Sequence, residues 1–85
     1  MTKKIIFHPY ALYKMRKRRI SSEKVVETLT QPSEIADGKF GRKIAQRVYG
    51  SHVLRVIFEE HPEHILVITT YPAKAERYLR ENLWI

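Results

Sequence analysis

The sequence predicts an α+β domain in which two N-terminal helices pack on a small antiparallel sheet of about four strands, with a helical segment at the C-terminal end. Three stretches carry this expectation. In HVLRVIFEEHPEHILVITTY, from His52 to Tyr71, two runs rich in β-branched and aromatic residues flank a polar break around Pro62, which can donate no backbone hydrogen bond. That is the pattern of a hairpin. Between Pro9 and Pro32 the apolar residues recur at helical spacing and are interrupted at Ile20-Ser21-Ser22, as in a helical hairpin. After Tyr71, Pro72 is placed to open a last helix, with Ala75, Tyr78 and Leu79 on one side and Lys74, Arg77 and Glu81 on others.

With 85 residues, 44% of them hydrophobic, residues 1–85 form one domain, large enough for a single two-layer core and too small for a deep interior pocket. The sequence contains no cysteine, which excludes disulfides and thiolate zinc sites and points to the cytoplasm. No apolar run approaches the about 20 residues that span a bilayer, and the basic start leads into a strand-like IIF instead of a signal-peptide core. The expectation is a domain that neither spans a membrane nor is exported.

The net charge of +7 is unevenly placed. Lys3, Lys4, Lys14, Arg16, Lys17, Arg18 and Arg19 fall within the first 20 residues with no acidic residue among them, and the remainder of the chain is balanced. Such a field attracts polyanions, which favours RNA, DNA or an acidic protein as partner. The plainer alternative is a solvated helix face that aids solubility.

Taken in order, Lys3 to Phe7 reads as a short strand. A helix follows from about Pro9 to Arg19, with Leu12, Met15 and Arg19 on its buried side, Ala11 and Arg16 beside them and His8 at its start. His8 reads first as a capping or hydrogen-bonded histidine and second as a catalytic one; Arg19 reads as a helix C-terminal cation. Serine caps a second helix through Val25, Val26 and Leu29 that ends before Pro32. Ser33 to Asp37 is a short strand, Asp37 to Gly41 a loop, and Lys43 to Tyr49 a further strand.

Folding the central hairpin symmetrically about Pro62 puts Leu54, Val56, Phe58, Leu66, Ile68 and Thr70 on a core face. Val53, Arg55, Ile57, Val67, Thr69 and Tyr71 then share a mixed face where function is expected. The Gly50-Ser51 link decides where Arg47 falls. A three-residue loop sets it beside Arg55, and a two-residue turn sets it beside Leu54. The first is preferred, because the second turns a charge toward the apolar side at a cost of several kcal/mol. Leu83-Trp84-Ile85 ends the chain as an apolar tail that either closes the core or docks a partner, a second copy included.

The chemistry-bearing residues are few. His61 and His64 lie in a loop with no helix to fix a metal-binding spacing, so no metal site is assigned. The serines sit at caps and turns. Arginine, tyrosine and histidine remain. Cleavage of RNA needs charge on the phosphate stabilised and the leaving oxygen protonated, and a guanidinium suits the first task. Tyr71, Tyr49 or a histidine can stack on a base or move a proton, and a plain nucleic-acid binder would show the same residues.

The order strand, two helices, antiparallel sheet, with His8, Met15-Arg16-Lys17-Arg18-Arg19-Ile20-Ser21, Glu34-Ile35, Arg47, Leu54-Arg55-Val56-Ile57 and Val67-Ile68-Thr69-Thr70-Tyr71, resembles the small domains allied to the RelE/ParE toxin superfamily. It is most similar to an uncharacterised branch marked by a histidine before the first helix, a Met and Arg near that helix's end and an ITxY-like last strand. ITTYPAKAERY, from Ile68 to Tyr78, also resembles BrnT-type toxins. The resemblance implies a RelE-like fold and a toxin neutralised by a cognate antitoxin, commonly a metal-independent, cofactor-free ribonuclease acting on mRNA, free or on the ribosome. It places Arg47, Arg55 and Tyr71 nearest the scissile phosphate, with Lys74 and Arg77 joining Lys14, Arg16, Lys17, Arg18 and Arg19 as RNA contacts. His8 carries over as a motif residue without an assigned role. With this resemblance, the reading adopted gives phosphate charge to Arg47 and Arg55 and the orienting or shuttling of a proton to Tyr71 or His8. The chain lacks a dense lysine cluster and a strand-borne general base. The alternatives are a non-catalytic module of the same fold that binds a protein, an antitoxin or a gyrase-like target, and a plain nucleic-acid binder.

Overall fold

A computed structural model describes residues 3–75, in which β1 (Lys4–Phe7) precedes α1 (Pro9–Arg18) and α2 (Ser22–Thr30), followed by β2 (Glu34–Asp37), β3 (Lys43–Tyr49), β4 (His52–Glu60) and β5 (His64–Lys74). Each helix start has a side-chain cap. His8 Nδ1 accepts from the Tyr10 N–H at 3.0 Å, with Pro9 at the first helical position, and Ser21 Oγ accepts from the Lys24 N–H at 3.2 Å. α1 ends on Arg19 in the left-handed conformation (φ 56°), with Ile20 N–H donating to the Met15 carbonyl at 2.8 Å and Arg19 N–H to that of Arg16 at 3.3 Å. This is a Schellman ending, and Ile20 packs back against the cluster that contains Met15.

The sheet corrects the predicted fold class in two ways. It has five strands in the order β1-β5-β4-β3-β2, and it is mixed, because β1 pairs parallel with β5 from Lys4↔His64 to Phe7↔Val67. The pairing sets the first strand beside the last, and nothing local in the sequence encodes it. The second correction concerns Pro72. It opens no helix; it lies within β5, opposite Leu54. β1 reaches only as far as Val67, so this part of β5 has no β1 neighbour, and an unpaired strand side tolerates a residue without an N–H. The rest of the predicted helical segment, with Arg77, Tyr78, Leu79 and Glu81, and the Leu83-Trp84-Ile85 tail lie outside the described residues.

A bulge breaks the predicted symmetry of the hairpin. Ile57 pairs with Thr69 but Phe58 pairs with Val67, so Ile68 is the extra residue. One added residue reverses the inside-outside phase of everything before it. Val67, expected on the mixed face, therefore joins Ala11, Met15, Val25, Leu54 and Val56 in the core under the helices, with Ile5, Phe7, Ile20, Leu29 and Tyr49 packed around them. Leu66 moves to the opposite side. The buried seam of α1 is also rotated from the expected one: Ala11 and Met15 are buried, whereas Leu12 is 47% exposed.

Candidate nucleic-acid interface

The link from β3 to β4 is the two-residue turn Gly50-Ser51, with Gly50 at φ 60°. Arg47 accordingly pairs with Leu54, and Gln46 pairs with Arg55, which corrects the preferred register. The cost expected for turning Arg47 toward the helices is avoided because its guanidinium stays at the margin of the core. Nη1 donates to the Gln31 carbonyl at 2.5 Å at the end of α2, Nε lies 3.6 Å from Glu27 Oε1, and the side chain keeps 30% of its surface exposed. Glu27 also accepts from the Tyr49 hydroxyl at 2.5 Å; partial burial, and then this bond, raise the hydroxyl's pKa.

On the face away from the helices, register assembles a polar row across four strands: Glu34, Gln46, Arg55 and Tyr71. Arg55 Nη1 donates to Tyr71 Oη at 2.8 Å, and the guanidinium carbon lies 5.5 Å from the centre of the tyrosine ring. Gln46 Nε2 donates to Glu34 Oε1 at 2.6 Å, while its buried Oε1 has no hydrogen-bond partner. Thr70, fully buried, donates its hydroxyl to the Arg55 carbonyl at 2.8 Å and fixes the local backbone. Of the four predicted catalytic residues, the structure brings together Arg55 and Tyr71. Arg47 is on the other face, and His8 is an exposed helix cap whose Nδ1 is engaged by Tyr10. Glu34 and Gln46 escape a reading of the sequence because the row exists only in the two-residue-turn register.

The basic residues form a second assembly at one end of the helix-covered side. Arg18, Arg19, Lys24, Tyr49 and His52 line a cleft of about 280 Å³ with Leu54 and Pro72. Arg18 Nη1 donates to the Thr70 carbonyl at 2.8 Å. Lys74 stands opposite His52 across the β4–β5 pair, at the same end. Arg16 and Lys17 are exposed on α1, and Lys14 is half-buried there. The Lys14 ammonium lies 5.3 Å from the Tyr10 ring and 5.7 Å from the Tyr13 ring, and both tyrosines are exposed, which makes a basic surface interleaved with aromatics. The spacing of Tyr10, Tyr13, Lys14 and Lys17 within one helix is the sequence signal for it. Arg77 lies outside the described residues.

Acidic residues concentrate at the opposite end of the sheet. Glu60 pairs with Lys3 at 3.0 Å and Lys43 at 3.5 Å, and Glu59 with Arg42 and His61 at 3.1 Å each. The Arg42 hydrogen bond, then that of His61, holds the Glu59 carboxyl below its ordinary range; Lys3 does the same for Glu60. His61 and His64 stack with ring centres 4.5 Å apart. Among the described residues no group of three or more His, Cys, Asp or Glu side chains converges as metal ligands would, and no helix is long and apolar enough to cross a membrane.

Residues 8–72 match the family described as a domain of unknown function, DUF4258. The chain belongs to the DUF4258 family. Comparison with curated proteins and with solved structures gives no match. The DUF4258 span begins at the His8 cap and ends at Pro72, so it takes in the whole polar row and all the residues that line the basic cleft. It leaves β1 and Lys74 outside.

Proposed function

We propose that this DUF4258 protein is a toxin module of RelE/ParE type, a metal-independent endoribonuclease that acts on mRNA and is restrained by a cognate antitoxin. The Arg55–Tyr71 pair supports the reading most directly. Arg55 Nη1 donates to the Tyr71 hydroxyl, and in this reading the guanidinium is the planar group that meets the phosphate, with the hydroxyl bonded to it as the proton donor. In the proposed reaction the 2′-oxygen of the RNA attacks phosphorus and the bond to the 5′-oxygen breaks. Arg55 stabilises the equatorial charge, Tyr71 protonates the departing oxygen, and the 2′-hydroxyl proton leaves to water.

The test is cleavage of RNA by the purified protein in the presence of a chelator, with and without ribosomes. Arg55→Ala should lower the rate by roughly 100-fold or more while the protein stays folded. An unchanged rate would remove Arg55 from the chemistry.

The exposure of Phe40 (88%) and of Ile35 on edge strand β2 (53%) favours a second reading, a non-catalytic module that binds an antitoxin or a target enzyme. Absence of cleavage by folded wild-type protein under every condition would select it.

A further inference from the structure

We infer that the cleft lined by Arg18, Arg19, Lys24, Tyr49 and His52 is a second binding site, which holds a phosphate of a single-stranded RNA backbone on the side of the sheet opposite the Arg55 row. The inference rests on the RNA reading proposed above and assigns that RNA a path across the protein.

The lining residues set the ligand's charge. Three permanent or near-permanent cations border the cleft, and among the described residues no carboxylate does. Among the described residues, none of Arg18, Arg19 and Lys24 is ion-paired, although Lys3, Arg42, Lys43 and Arg47 all are. Lys24 is held by a ring instead of a carboxylate, its ammonium 5.2 Å from the centre of Tyr49. Tyr49 in turn gives its hydroxyl to Glu27, so what it offers a ligand is an aromatic surface. His52 Nδ1 contacts Ser51 Oγ at 3.1 Å, and Nε2 has no partner among the described residues. Arg18 is tied through Nη1 to the Thr70 carbonyl, which aims a guanidinium that keeps further donors.

Arg19 adds an argument from strain. An L-residue in the left-handed region costs about 1–2 kcal/mol and glycine ends such helices more cheaply. A cation here favours the C-terminal end of α1, and on the rim of a basic cleft the same side chain is also in place to meet an anionic ligand.

Size and continuity set the ligand's class. A cleft of about 280 Å³ falls below the roughly 300–1,000 Å³ of drug-sized sites and suits one phosphate with part of its nucleotide. The cations do not stop at its edge. Lys74 stands across from His52, and α1 extends the basic surface through Lys17 and Lys14 beside the exposed Tyr10 and Tyr13. A track of charges and rings is the arrangement that single strands use.

The experiment titrates the full chain with a non-cleavable 2′-O-methyl oligouridylate and, separately, with inorganic phosphate. It follows anisotropy of the labelled oligonucleotide and the NMR signals of the His52 imidazole. Both ligands should move the His52 signals. Lys24→Gln should weaken oligonucleotide binding roughly tenfold and reduce the salt slope by about 0.7, because one fewer cation then neutralises a phosphate. Arg19→Gly should also weaken binding while relieving the backbone strain, so misfolding cannot account for the loss. Oligonucleotide binding that neither variant weakens, with His52 unmoved, would overturn the cleft and leave the RNA reading standing. Phosphate moving His52 while the oligonucleotide does not bind would overturn both the RNA reading and the backbone-phosphate assignment.

Discussion

Arg47 and Arg55 lie on opposite faces of one sheet, because the two-residue turn at Gly50-Ser51 pairs Arg47 with Leu54 and Gln46 with Arg55. Two arginines that could have shared a phosphate therefore have separate work. Arg47 closes the end of α2 through the Gln31 carbonyl and Glu27, and Arg55 is bonded to Tyr71. Arg47→Ala should cost about 1–2 kcal/mol of stability, mostly from the lost carbonyl bond, since a pair this exposed contributes little. Cleavage per folded molecule should fall far less than in Arg55→Ala. Urea midpoints and single-turnover rates of the two variants measure the split. A catalytic loss in Arg47→Ala equal to that of Arg55→Ala would mean that the faces cooperate.

Arg19→Gly should stabilise the protein by roughly 0.5–1 kcal/mol, because glycine adopts the left-handed ending of α1 without the Cβ clash, a gain partly offset by its freer unfolded chain. The check is thermal or urea unfolding beside wild type. A lower midpoint would show that the Arg19 side chain stabilises the fold enough to outweigh its backbone strain.

The carboxyls at the hairpin tip predict acid sensitivity. Glu59 and Glu60 have folded pKa values held below their ordinary value of 4.5, so in acid the unfolded chain binds more protons than the folded one. Their stabilisation is present above the unfolded value and is lost as pH falls through the lower folded values. Urea midpoints from pH 6 down to pH 3 should therefore decline, and the double variant Glu59→Gln, Glu60→Gln should flatten that decline. A decline as steep in the double variant would place the acid-labile groups elsewhere.

Local signals in the sequence specify the elements, while their assembly depends on single-residue decisions. The caps at His8 and Ser21, the helical spans and β3 follow from side-chain chemistry within a few residues of each boundary. The face assignments near the hairpin tip depend on one bulged residue, Ile68, and no residue type in ILVITT marks which position bulges. The β1–β5 pairing is non-local, and Pro72 is equally at home at a helix start and on an unpaired strand side. The same limit governs the site. Arg55 and Tyr71 are legible because both flank the bulge-free half of the hairpin, whereas Glu34 and Gln46 join them only once the turn length is known.

Phe40 offers a last test, at the opposite end of β3 from the basic cleft. It sits in a tight 3₁₀ turn, Lys39–Gly41, with φ 60° and 88% of its surface exposed. The turn is closed by Gly38 N–H donating to the Arg42 carbonyl at 2.8 Å, and a Cβ on Gly38 would come within 3.2 Å of that oxygen. A side chain at Gly38 would thus press on that oxygen, and Gly41 is favoured by its φ of 74°. Phe40 meets neither need, since a large residue is strained in the left-handed region and the exposed ring gains little from burial. Phe40→Asn should raise stability by a few tenths of a kcal/mol, because Asn tolerates this backbone better. If Phe40 is a docking residue, as the interaction-module reading requires, the same variant should lose affinity for the protein partner while it gains stability. A fall in the urea midpoint of Phe40→Asn would instead show that the ring supports the turn, and the argument for a docking role would lose its basis.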